Sequence, residues 1–189
     1  MNMHANRRDI LGGLSMLKKL VSTGLVCLMM VSVVGCSNEA KQPSNGTELD
    51  IPHAIQEIKN KIASDYDLTV NEDGSLAGYA EIDLKSEDMP LQDFPVADED
   101  MEAGMALEPM MNVLADKFIV IKAADGQEND VKAGLETIKQ QQIDQWQMYL
   151  PEQLEKAENA QIVQEGDYFF YVTYEKTDEM VGLFQGLFK

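Results

Sequence analysis

The sequence predicts an α+β domain: a mainly antiparallel sheet with helices packed on one face, in the order α-β-ββα-ββα. Three observations predict it. Apolar residues recur three or four apart in three separate stretches, which is the period of an amphipathic helix. Between them lie short runs rich in β-branched and aromatic residues, FIVIKA at 118–123 and YFFYVTY at 168–174. The strand pairs are each followed by a helix, a segregated pattern that suits an antiparallel sheet with helices on it.

In chain order, Ile51, Ile55, Ile58 and Ile62 form one helical face, with Pro52 in the first turn where a helix tolerates proline. Asn71-Glu72-Asp73-Gly74 is a turn signal. Residues 79–84 alternate Tyr, Ala, Glu, Ile, Asp, Leu and predict a short strand. Residues 86–102 are acidic, carry Pro90 and Pro95, and read as extended or irregular. Strands are expected at 105–113 and 118–123, joined by 114–117.

Asp125-Gly126 ends the second of these, and Asp130 is placed to cap the next helix. Val131, Leu135, Ile138, Gln142, Trp146 and Tyr149 follow at helical spacing, and Pro151 closes the stripe. Residues 160–164 and 168–174 predict a hairpin turned at Glu165-Gly166-Asp167, its aromatic second strand central in the sheet. Met180, Leu183, Phe184, Leu187 and Phe188 give a C-terminal helix face. Gly182 and Gly186 each weaken it by about 1 kcal/mol.

Ahead of this domain stands a different kind of segment. Lys18 and Lys19 precede an apolar run at 20–34 that ends in Val33-Val34-Gly35-Cys36. The run is shorter than the roughly 20 residues of a membrane-spanning helix. It resembles a bacterial lipoprotein signal peptide with its lipobox. The resemblance implies that residues 1–35 are removed and that Cys36 carries a diacylglycerol. Two acyl chains then anchor the protein stably in the bilayer, where one would be marginal. The implied location is the extracytoplasmic face of the cell membrane. Residues 37–50, SNEAKQPSNGTELD, read as a flexible polar tether between Cys36 and a single domain at 51–189.

Charge narrows the partners. Residues 1–35 hold Arg7, Arg8, Lys18, Lys19 and Asp9, so their removal leaves 11 basic and 32 acidic residues, net −21. Such a surface repels phosphate backbones and excludes nucleic acid as a partner class. Anionic headgroups repel it as well, so the domain is expected to stand off the bilayer. With Cys27 in the leader and Cys36 acylated, the domain has no thiol for a disulfide, a nucleophile or a zinc site.

Few side chains point to chemistry. His53, beside Pro52, is the sole histidine after the leader, which leaves Ser-His-Asp and Cys-His catalysis without a base. Thr69 to Gly74 imitates the middle of a calcium loop but lacks its end ligands, and reads as a plain turn. Asp98, Glu99, Asp100 and Glu102 gather hard oxygen ligands. Asp98, Asp100 and Glu102 are weak metal candidates against a solvated acidic loop. Met101, Met105, Met110 and Met111 could offer thioethers to Cu(I), although methionine more often fills cores or makes adaptable surfaces. Gln142 interrupts an apolar stripe. If buried it must find partners, either by capping a neighbouring strand's backbone or by lining a ligand pocket with Trp146 and Tyr149.

Met110-Met111-Asn112, the strand at 119–123, Tyr149-Leu150-Pro151 with Gln153, Asn159-Ala160 and Gly166-Asp167-Tyr168 carry a family likeness. Over 55–189 the chain resembles domain of unknown function 4358, found in small bacterial lipoproteins. The resemblance implies an exported protein of unestablished role and brings no catalytic residues or cofactor. The expectation is a non-enzymatic domain that binds an envelope protein or a small ligand. The alternatives are a carboxylate-based envelope hydrolase and a calcium-dependent binding protein.

Overall fold

The computed structural model describes residues 48–86 and 94–188. The chain divides into two units, Met1–Lys41 and Gln42–Lys189, and the described residues all belong to the second. The leader at 1–35, Cys36 and most of the tether lie outside the described residues, as does part of the acidic stretch at 86–102.

Helix α1 spans Ile51–Tyr66. Its Asp50 cap accepts the His53 N–H at 3.4 Å, and it ends on Asp67 in the left-handed region, φ 53°. Strand β1 is Tyr79–Asp83. A 3-10 turn at Asp98–Asp100 leads into β2, Met101–Pro109, and β3 follows at Lys117–Ala123. Helices α2, Glu128–Trp146, and α3, Pro151–Glu158, come next. The hairpin β4, Gln161–Glu165, and β5, Tyr168–Thr173, turns on Gly166 at φ +64°, and α4, Thr177–Gly186, closes the chain. The five strands form one antiparallel sheet in the order β1-β2-β3-β5-β4. The α+β class and the order of elements are as expected, with a short extra helix, α3, where Pro151 starts a new helix at its own first turn.

The helices do not share one face, and this corrects the expectation. Ile55, Ile58 and Ile62 of α1 and Met180 and Phe184 of α4 pack on Phe118, Val120, Phe170 and Val172. Val131, Leu135 and Ile138 of α2 pack on the opposite face, against Ile119, Ile121, Phe169 and Tyr171. Both sides of β3 and β5 are therefore covered, which is why these two strands are apolar without alternation. Each isoleucine of α1 that passes from water to this core contributes about 2 kcal/mol.

Four boundaries also move. Strand β2 begins at Met101 rather than 105, because Met101 and Gly104 are buried, and it stops at Pro109, which has no N–H for the ladder. Helix α2 begins two residues before Asp130, with Gln127 at the cap, and Asp130 lies in the first turn, where a carboxylate suits the dipole. It ends at Trp146, so Tyr149 falls outside the stripe.

Gly134 sits where α2 crosses the segment before β2. A Cβ there would meet Val96 Cγ2 at 2.5 Å and the Pro95 carbonyl oxygen at 2.8 Å. Alanine is worth about 1 kcal/mol more than glycine in an exposed helix, but overpacking against backbone costs about 1–3 kcal/mol. Gly134→Ala is expected to lower stability in urea unfolding; a higher midpoint would show that the crossing is looser than described.

Candidate functional site

Six large apolar side chains are exposed among the described residues, and all six fall on two connections. Met110, Met111, Val113 and Leu114 lie between β2 and β3, and Met148 and Tyr149 lie between α2 and α3. Met148 is 90% exposed, Met110 73%, Met111 70% and Tyr149 66%. Scattered exposed apolar residues are ordinary, whereas a contiguous patch marks a contact surface.

The β2–β3 connection is bonded to the two helices that flank the other connection. Gln145 Nε2 donates to Asn112 Oδ1 at 2.8 Å. The Ala115 N–H donates to Gln153 Oε1 at 2.7 Å, and Gln142 Nε2 donates to the Ala115 carbonyl at 3.0 Å. A small core of Ala115, Trp146 and Ala157, flanked by Ile143, Leu150 and Leu154, supports them. Tyr149 lies over Trp146 with ring centroids 6.1 Å apart. Trp146 is buried, and its Nε1–H meets no acceptor among the described residues.

Gln142 is buried, and both ends of its amide are bonded within the protein. Its Oε1 accepts from the Tyr171 hydroxyl at 2.5 Å and from Thr173 Oγ1 at 2.6 Å, while its Nε2 serves Ala115. Burial pushes the Tyr171 hydroxyl up to about 12 despite the bond with Thr173, so it stays a donor. The structure thus gives Gln142 the backbone-capping part. Gln142 and Trp146 lie inside and Tyr149 lies at the surface, so the three do not line one pocket.

A cleft of about 1000 Å³ adjoins this end of the sheet, between α3 and the start of α4. Three of its lining side chains bond carboxylates that lie beside it, Lys156 to buried Asp116 and Tyr174 and Lys176 to half-buried Asp65. Asp116 accepts from Lys156 Nζ at 2.9 Å, from the Tyr79 hydroxyl at 2.9 Å and from the Tyr66 hydroxyl at 3.5 Å. Burial, then the Asp116 charge, raise the Tyr66 and Tyr79 hydroxyls. Burial alone would lower Lys156, but its bond to Asp116 leaves it raised. Asp65 accepts from Lys61 at 2.5 Å, Lys176 at 2.7 Å and the Tyr174 hydroxyl at 2.9 Å. Burial alone would raise Asp65, yet the bonds from Lys176, Lys61 and Tyr174 outweigh it and bring it down to about 2.

The weak metal candidates are drawn elsewhere. Asp98 pairs with Lys85 at 2.7 Å and Glu102 with Lys122 at 2.6 Å. Among the described residues no three Asp, Glu, His or Cys side chains stand close enough to hold an ion. Met101 is buried and Met105 half-buried in β2, apart from exposed Met110 and Met111. The calcium-like stretch is a tight turn, with Asp73 accepting from the Ser75 N–H and hydroxyl and Gly74 at φ +83°. His53 is exposed in the first turn of α1.

Residues 80–174 match a family described as a domain of unknown function (DUF4358). The chain belongs to this family. No match was found among curated proteins or among solved structures. The DUF4358 segment takes in all five strands, α2 and α3, and both exposed connections, but not α1 or α4. Of the residues at this end, Met110, Met111, Gln142, Trp146 and Tyr149 were singled out by the sequence. Asp65 and Asp116 were not, because apart from Lys61, one turn before Asp65, their partners lie 37 to 111 residues away.

Two measurements follow from this geometry. Gln142→Leu leaves the Tyr171 hydroxyl and the Ala115 carbonyl buried without their partner, at about 1–3 kcal/mol for each unsatisfied group. A marked fall in unfolding midpoint is expected, and a gain would show that the amide is not needed for the fold. For Asp65 the folded value lies below the usual 3.8. Its stabilisation is therefore complete above that value and is lost as pH falls through about 2. Asp65→Asn should flatten the acid limb of a stability-against-pH curve between these two values; an unchanged limb would mean that the lysine bonds are not made in solution.

Proposed function

We propose that this DUF4358 protein is an exported lipoprotein, held at the extracytoplasmic face of the cell membrane through acylated Cys36. Its domain is a non-enzymatic module that docks another envelope protein. The lysine pair, the apolar run and Gly35-Cys36 support export and anchoring. No helix among the described residues is long and apolar enough to cross a membrane.

The observation that carries the binding reading is the collection of all six exposed large apolar side chains on two connections at one end of the sheet. Tyrosine and methionine are enriched where proteins meet, and charged residues are depleted there. A hydrolase built on carboxylates needs one of them raised towards neutrality as a proton donor. Asp65, bonded to Tyr174 and Lys176 of the cleft wall, is displaced in the opposite direction. A second reading, a small polar ligand, rests on the cleft itself, whose volume suits one and whose lining is polar.

Anchoring is tested by Cys36→Ser in the cells that make the protein. The wild type is expected in the membrane fraction with the mass of a diacylglycerol adduct, and the variant without that mass and released from the membrane. A wild-type mass without lipid would remove the anchor from the proposal.

A further inference from the structure

The two ends of the domain differ in where the chain enters. Leu49, just before α1, belongs to the core beneath that helix, and its backbone hydrogen-bonds the Tyr168 hydroxyl. Tyr168 begins β5 and pairs with Lys122 near the end of β3. The apolar pole lies past the opposite ends of the same strands, where Lys117 pairs with Thr173. Helix α1 runs between the two ends. Its 16 residues span about 24 Å, and its last residue, Tyr66, reaches Asp116 beside the pole. A tether from Cys36 to Leu49 therefore attaches at the end away from the pole.

Charge around the pole is also one-sided. Asp144 is exposed in the last turn of α2, and Glu152 follows directly on the Met148-Tyr149 connection. Glu152 also lines the cleft, with Glu155, Glu175 and Asp178. Among the described residues none of these has a lysine or arginine in ion-pair contact. The cleft's two lysines are already matched, Lys156 to Asp116 and Lys176 to Asp65. A second copy of this chain, net −21 once residues 1–35 are removed, would bring like charge against like, and an anionic bilayer would do the same.

We infer that the pole docks a different and basic protein. That partner offers an apolar recess for Met148 and Tyr149 and a lysine- or arginine-bearing segment that enters the acidic cleft beside them. The inference rests on the docking reading above and names the chemistry of the partner. The β2–β3 side of the pole is held by the bonds from Gln142, Gln145 and Gln153 and the other side by the Trp146–Tyr149 ring contact, which lessens the ordering needed on binding. Tyr149 over Trp146 forms the aromatic anchor, and the methionines adapt to the partner's surface. The acidic border steers a basic partner in and turns away acidic ones.

The test uses the full-length, membrane-anchored protein in its own cell envelope. A benzophenone amino acid replaces Met148 in one strain and Glu136, exposed on the middle of α2, in another. The expected result is a cross-link at Met148 and not at Glu136, to a protein identified by mass as basic. With Asp144→Lys and Glu152→Lys added, the yield should fall about 10-fold, since opposed like charges at an interface cost more than 1 kcal/mol. Both sites are exposed, and an unchanged melting temperature confirms that the fold is intact. A cross-link to a second copy, to phospholipid, or to a protein whose capture ignores the charge reversal overturns the basic partner and leaves docking at the pole standing. Equal capture at Glu136, or none at Met148, overturns the docking reading itself.

Discussion

The carboxylate of Asp116 is the constraint on which this end of the molecule depends. Its side chain is fully buried at the point where the β2–β3 connection enters β3. An unpaired buried carboxylate costs several kcal/mol, so its surroundings must supply donors. They come from three elements: Tyr66 from α1, Tyr79 from the start of β1 and Lys156 from α3. One charge thereby fixes α1 on one side of the sheet and α3 on the other. Asp65 repeats the arrangement nearby, joining α1 to the end of β5 and the start of α4 through Tyr174 and Lys176. The Tyr66 and Tyr174 rings, 5.5 Å apart, connect the two networks.

The sequence made the secondary structure legible because each element carries its own period. The four isoleucines of α1 and the stripe of α2 needed no tertiary knowledge. The number of covered faces was legible as well, in a signal that the one-face expectation passed over. A strand with one wet face alternates, yet Phe118-Ile119-Val120-Ile121 and Tyr168-Phe169-Phe170-Tyr171-Val172 do not. Their odd and even positions enter different cores. The start of β2 was hidden because Met101 follows an acidic turn and because a bulge between Met101 and Ala103 breaks the alternation there.

The site was legible in part. Gln142 stood out as a polar residue in an apolar stripe, and burial with a full set of partners is what such a residue needs. Trp146 and Tyr149, three apart in the sequence, were expected on one face, but α2 ends between them, so one supports the pole and the other is displayed on it. Exposure itself has no sequence signature. Met101 and Met110 have the same side chain, one in the core and one at the surface, and only the path of β2 separates them. Lys61 stands one helical turn before Asp65, but the other lysine and tyrosine partners of Asp65 and Asp116 were equally invisible, since contacts made across 37 to 111 residues leave no local trace.

The apolar pole is better explained by contact with a partner than by incomplete packing. Ordinary surface loops satisfy their backbone with water and carry small or polar residues. These two connections do the reverse, displaying methionine and tyrosine, while three glutamines bond the first of them and Trp146 packs beneath Tyr149 of the second. Each of the three methionines, the most exposed of the six, would contribute about 1.5–3 kcal/mol if it were fully buried in the domain instead. That is large against the 5–15 kcal/mol by which a domain of this size is stable. A fold that leaves this much burial unused, and collects it at one rigid end, has the physical form of half an interface.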